Sequence, residues 1–133
     1  MKPLKTIFAL ILAVLIILLI AHLFICRVQV LRLSNGKVID LDQMITEVKK
    51  ERIIFIGEEH DRQQSHQAEL EIIRKIHRAG VPFAIGLEMF TAKSQEKLDQ
   101  WVAGKLSLQD FIRLYYHDWR MPWSYYRDIL LYA

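Results

Sequence analysis

The chain has 133 residues, 53% of them hydrophobic, with 18 lysines and arginines against 15 aspartates and glutamates, a formal net charge of +3. Setting aside Lys2 and Lys5, which precede a long apolar run, leaves 16 basic and 15 acidic residues. That balance gives no electrostatic case for a nucleic-acid partner, and a single cysteine excludes an internal disulfide.

Residues 6 to 26 are apolar apart from Thr6, His22 and Cys26. A helix rises ~1.5 Å per residue, so about 20 such residues span the ~30 Å hydrocarbon layer of a bilayer. The run is too long for the ~7 to 15 apolar residues of a cleavable signal peptide and has no small-residue cleavage site, so residues 1–27 read as an uncleaved transmembrane anchor with a short basic start. Cys26 follows Leu23, Phe24 and Ile25, whereas a lipidation site calls for a small residue directly before the cysteine. Lys2 and Lys5 before the run and Arg27, Arg32 and Lys37 after it give too little bias to orient the anchor. His22 reads as a neutral side chain near one end of the span.

Residues 28–133 form the second part. Val28, Val30 and Leu31, then the turn signal Ser34-Asn35-Gly36, then Val38 and Ile39, predict a short hairpin. Asp42 is placed to cap a helix running to about Lys50 with Met44, Ile45 and Val48 on one side. Ile53-Ile54-Phe55-Ile56, stopped by Gly57, has the continuous apolar pattern of a strand covered on both faces. A helix capped by Asp61 or Ser65 follows, with Leu70, Ile73 and Ile76 inward and Gly80 and Pro82 ending it. Phe83 to Met89 reads as a second buried strand. Strand, helix and strand make a parallel βαβ unit with a right-handed crossover, and the class is α/β.

Leu98, Trp101 and Val102 mark another helix. Ser107-Leu108-Gln109-Asp110 resembles a capping box opening a further one with Leu108, Phe111, Ile112 and Tyr115 inward, and Pro122 introduces a last segment. Two parallel strands do not make a self-sufficient sheet, so the domain is expected to be incomplete and to continue past residue 133.

Chemistry concentrates where the first buried strand ends, at Gly57-Glu58-Glu59-His60-Asp61, the place where open α/β sheets put ligands. The second strand ends at Glu88, and neighbouring strands lie ~4.8 Å apart, so Glu59, His60 and Glu88 are the candidate metal ligands and, for a hydrolase, the candidate catalytic groups. His60 precedes a helix, whose positive dipole end disfavours an added proton; a neutral imidazole suits a metal ligand or general base. A solvated turn with capping carboxylates is the plainer account of the same charges. Five residues separate His66 from His60, no standard metal spacing, and His66 reads as a surface histidine; His77 reads as a partly buried packing residue. The aromatic concentration Tyr115, Tyr116, Trp119, Trp123, Tyr125, Tyr126 and Tyr132 reads first as core packing, with a flat apolar ligand or a second subunit in a homo-oligomer as the other occupants weighed. Arg120 and Arg127 receive no role.

Phe55-Ile56-Gly57-Glu58-Glu59-His60-Asp61, the helix with Glu71-Ile72-Ile73, Ala84-Ile85-Gly86-Leu87-Glu88-Met89-Phe90, Ala103-Gly104, Trp119, Pro122-Trp123 and Tyr132-Ala133 together resemble the ChaN-like haem-binding uptake family of bacteria, over about residues 38 to 133. That resemblance implies haem binding at the cell envelope in iron uptake. It also implies membership of the wider Tiki and TraB superfamily, some of whose members are metal-dependent proteases carrying a Gly-x-x-His motif, matched here by Gly57 to His60, and a carboxylate matched by Glu88. A second such motif and the haem-ligating tyrosine would then lie beyond residue 133. On this reading the protein is membrane-anchored with its domain on the extracytoplasmic side of a bacterial inner membrane, and its ligand is haem; the alternative is a hydrolase with a divalent metal.

Overall fold

The computed structural model describes the backbone of residues 2–25 and 28–133 and the side chains of residues 7–19 and 28–133. The readings made at Lys2, Lys5, His22, Cys26 and Arg27 concern side chains outside those described. Two compact units divide the chain inside one helix, Met1–Met44 and Ile45–Ala133.

In the first unit, helix α1 runs over Lys2–Ile25, as leucine- and isoleucine-rich sequence without glycine or an internal proline would have it. Its described large side chains, Ile7 through Leu19, are all half or more exposed or close to it, at 47–71%. The described side chains cover residues 7–19, about 20 Å of helix axis. Among the described residues no helix is long and apolar enough to cross a membrane, so the helix is found where expected while its passage through a bilayer is not shown.

The hairpin forms as the sequence predicts. Strands β1 (Gln29–Arg32) and β2 (Lys37–Asp40) pair antiparallel, with Gln29 opposite Asp40 and Arg32 opposite Lys37. Gly36 takes a positive φ of 67°, a conformation that costs little only without a Cβ, and the Asn35 side chain accepts from the Lys37 amide at 3.1 Å. Helix α2 (Leu41–Val48) is capped by Asp40, whose Oδ1 accepts from the Gln43 amide at 2.8 Å, and not by Asp42. The helix starts two residues earlier than a cap at Asp42 would set it, so Leu41 joins Ile45 as its buried pair.

The second unit is helical. Helix α3 (Gln63–Arg78) buries His66, Leu70, Ile73 and Ile76. Its N-cap is Arg62, without a side-chain capping bond, rather than Asp61 or Ser65, and it ends at Gly80, which turns at φ 70°. A 3₁₀ turn (Ala92–Ser94) leads into α4 (Gln95–Val102), which turns Leu98 and Trp101 inward and leaves Val102 outward, 67% exposed. Ser107 caps α5 (Leu108–Asp118) as predicted, its Oγ accepting from the Asp110 amide at 3.1 Å. Phe111, Leu114 and Tyr115 are buried on its inner face, while Leu108 is 42% exposed. Pro122 sits at the N-cap of α6 (Trp123–Leu130), where its missing amide proton costs nothing.

The core lies between these helices. Met89, Phe111, Leu114, Tyr115, Tyr126 and Leu130 form one cluster, and Leu70, Ile73 and Ile129 another, so α6 packs on α5 through one set of residues and on α3 through another. Trp101 stacks on Phe111 at 4.1 Å and 7° and donates its indole proton to the Leu130 carbonyl at 2.9 Å. Tyr115 donates to the Met121 carbonyl at 3.0 Å. Asp118, whose side chain is 2% exposed, accepts from the Ser94 hydroxyl and the Thr91 amide, tying the chain after Phe90 to the end of α5.

The parallel βαβ unit is not borne out. Among the described residues the one sheet is the antiparallel hairpin. Segments 53–56 and 83–87 carry no ladder bonds and the latter runs into a turn at 88–89, yet each keeps a period of two: Ile54 and Ile56, and Ile85, Leu87 and Met89, turn inward while their neighbours face out. Phe55 is 91% and Ile53 71% exposed. A continuous apolar run signals a strand only where both faces find cover and both edges find a partner; here one face is covered. The fold is helix-rich, with a small two-stranded sheet.

Candidate functional site

The two extended segments still deliver their ends to one place. His60 Nδ1 stands 2.7 Å from Glu58 Oε1, and His60 Nε2 stands 3.3 Å from Glu88 Oε1. Tyr126, buried on α6, donates to the same Glu58 oxygen at 2.5 Å and lies 3.2 Å from His60 Nδ1. The edge of the Trp119 ring meets His60 at 5.4 Å. Ligand atoms of Glu58, His60 and Glu88 fall within 4.8 Å of one another.

Two of the three expected site residues, His60 and Glu88, are therefore brought together, and Glu59 is not: it pairs with Arg62 at 2.6 Å, both side chains exposed. Its place is taken by Glu58, whose side chain is 11% exposed. Which of two adjacent carboxylates turns inward depends on the register of the extended chain, and the inward set Ile54, Ile56 continues to Glu58.

The direction in which the site moves the proton affinity of His60 is also opposite to the sequence reading. The Glu58 hydrogen bond, with the charges of Glu58, Glu88 and Asp61, raises its proton affinity despite partial burial. A carboxylate on each ring nitrogen outweighs the dipole of a helix beginning three residues later. Burial raises the Glu58 carboxyl, but hydrogen bonds from Tyr126 and His60 and the nearby histidine charges together hold it below the usual carboxylate range.

His66 is the larger surprise, being 3% exposed rather than on the surface. Its ring stacks on Tyr125 at 5.7 Å and meets Tyr126 edge-on at 4.5 Å. Nε2 lies 3.1 Å from the His60 carbonyl and Nδ1 2.9 Å from Glu58 Oε2. Position 66 lies four and seven residues before Leu70 and Ile73, on the buried face of α3; helical position was the signal, and metal-motif spacing was not.

A cavity of about 870 Å³ lies off this charged cluster, lined along one side by the extended segment Phe83–Leu87 and elsewhere by Phe90, Trp101, Phe111 and the pair His77 and Tyr132. None of Glu58, Glu59, His60 or Glu88 lines it. It is mostly apolar and falls within the range of ligand pockets, about 300–1,000 Å³. His77 is exposed rather than partly buried, and its Nδ1 is 2.8 Å from the Tyr132 hydroxyl. Arg74 sits 5.5 Å over the Tyr132 ring. Most of the aromatic concentration packs inward, as expected, while Tyr116 is 51% exposed.

A family model described as haem-binding uptake, Tiki superfamily, ChaN matches residues 44–133, which takes in the whole of the second unit. No curated protein and no solved structure matches the chain.

Proposed function

The chain belongs to the haem-binding uptake family ChaN of the Tiki superfamily, and on that premise we propose that it is a membrane-anchored, extracytoplasmic haem-binding protein of iron uptake whose haem enters the cavity beside Phe83–Leu87. The observation that carries the choice of site is the cavity's chemistry. A porphyrin face needs apolar and aromatic contact area, which Phe83, Ile85, Leu87, Phe90 and Trp101 supply, and the charged cluster at Glu58 and His60 would have to be desolvated to do the same. Tyr132 and His77 are the lining residues able to ligate iron, and their mutual hydrogen bond lets one orient the other.

Haemin titrated into the 133-residue chain is expected to give a saturable Soret shift at one haem per chain. Tyr132→Phe should weaken it by about 10- to 100-fold, the range for loss of a ligand or its orienting partner. A folded protein showing no saturable shift rejects the reading. If it then cleaves peptides in a zinc-dependent way that His60→Ala abolishes, the second reading takes its place: hydrolysis at the convergent Glu58, His60 and Glu88.

Support for the anchor is helix α1, apolar on every described side; a helix hydrophobic all round belongs in lipid or a large core. The full chain should stay with membranes through alkaline carbonate extraction, and a chain lacking residues 1–27 should not. Release of the full chain would remove the anchor from the proposal.

A further inference from the structure

We propose that Glu58 Oε2, His66 Nδ1 and Glu69 Oε2 form a binding site for a divalent first-row transition-metal cation, built into the start of α3 and apart from the haem cavity. The three atoms lie within 4.8 Å of one another. All three are buried, and none has a hydrogen-bond partner. Orphaned buried polar atoms are rare because each costs about 1–3 kcal/mol, more when charged; three pointing into one small volume share a single explanation.

His66 sharpens it. Its Nε2 lies 3.1 Å from the His60 carbonyl, which can only accept, so Nε2 carries the proton. In the neutral ring that leaves a lone pair on Nδ1, 2.9 Å from the carboxylate Oε2 of Glu58 and not engaged with it in a hydrogen bond. Two lone pairs at that separation repel unless a cation lies between or beside them. Zinc bonds of ~2.0–2.2 Å to nitrogen and oxygen set neighbouring ligand atoms roughly 3 to 3.5 Å apart, so the His66–Glu58 pair, at 2.9 Å, would open slightly to take the ion. A carbonyl on the far ring nitrogen is also the usual arrangement behind a metal-bound histidine, fixing its tautomer.

Glu69 completes the set from the same helix. His66 and Glu69 stand three residues apart and share a face, and Tyr125 and Tyr126 pack on the imidazole so that it is held before any ion arrives. Glu58 divides its work, Oε1 serving Tyr126 and His60 and Oε2 facing this site. One imidazole and two carboxylates suit zinc, iron(II) or manganese(II) better than calcium or magnesium, whose sites are all oxygen.

The test is calorimetric titration of Zn²⁺ into the chelator-stripped full-length chain at neutral pH, with Co²⁺ absorption as a report of ligand geometry. One saturable site per chain is expected, with a zinc-induced rise in melting temperature. Glu69→Gln keeps the shape of the side chain and should weaken zinc at least about 10-fold and remove the thermal shift; His66→Ala should do the same and abolish the cobalt bands. Because Glu69→Gln also relieves an unpaired buried charge, it should melt higher than wild type without metal, which keeps loss of binding apart from loss of folding. A folded wild-type chain that takes up no Zn²⁺ overturns the proposal and leaves a proton on His66 Nδ1. Binding that Glu88→Gln weakens and Glu69→Gln does not would overturn it equally, moving the ion to the exposed cluster. Haemin affinity is read separately, so either idea fails without the other.

Discussion

Phe111→Ala is expected to cost the Ile45–Ala133 unit about 3–5 kcal/mol in denaturant unfolding, the range for truncating a buried phenylalanine. Phe111 has no exposed surface and lies where four elements meet. Trp101 of α4 stacks on it, Phe90 approaches at 5.9 Å and Trp123 of α6 at 6.1 Å. Rigid aromatic rings on three sides collapse poorly into a void, so the cavity term should be nearly complete. Phe111 also lines the cavity proposed for haem, and on that proposal the same variant should weaken haemin binding even under conditions where the domain stays folded. A loss under about 1.5 kcal/mol, the scale of a volume-conserving swap, would mean that the helices do not close on this residue.

Phe111 and its helix were legible in the sequence because every level agreed. Ser107 and Asp110 mark the start, the apolar period of α5 points Phe111 and Tyr115 inward, and Pro122 opens the next helix. The hairpin was legible for the same reason, since Asn35 and Gly36 sit where its turn needs them. The βαβ unit was not. Ile53 to Ile56 has the composition of a covered strand, but cover is supplied by residues elsewhere in the chain, and no local pattern records whether they arrive; Phe55, 91% exposed, is where they do not. Even so, the period-two alternation survived and set part of the site, turning Glu58 inward with Ile54 and Ile56, while Glu88 reaches His60 from the outward-facing set. Glu58 over Glu59 was not readable from residue type, because it depends on which side of a short segment faces Tyr126, whereas the burial of His66 follows from its place on the inner face of α3. Adjacent residues of identical chemistry are told apart only by register.

Tyr126→Phe isolates that dependence, removing one oxygen and leaving the packing volume. Tyr126 is 1% exposed and gives its hydroxyl proton to the Glu58 carboxylate. A hydrogen bond to a charged group contributes about 1.5–3 kcal/mol, and the variant should be less stable by that amount near pH 7. The pH dependence follows from the direction of the Glu58 shift. Its carboxyl is held below its ordinary value of 4.5 against the pull of burial, chiefly by the Tyr126 and His60 hydrogen bonds. The stability this provides is present above pH 4.5 and lost as the pH falls through the lower, folded-state value. In the variant, burial pushes the carboxyl up with one fewer opposing bond, so the acid limb of its stability curve should move to higher pH. Below both values Glu58 is protonated in either protein, and the two curves should draw together, the remaining gap being that of a neutral hydrogen bond, about 0.5–1.5 kcal/mol. His60 adds a limb of opposite sign: its proton affinity is raised, so its pairing with Glu58 contributes fully below pH 6.5 and fades as the pH climbs through the raised value. Both limbs should be present in wild type, with the acid one displaced in Tyr126→Phe. An acid limb at the same pH in the two proteins would show that Tyr126 does not hold the Glu58 charge, and with it would go the division of Glu58 between its two oxygens on which the metal site depends.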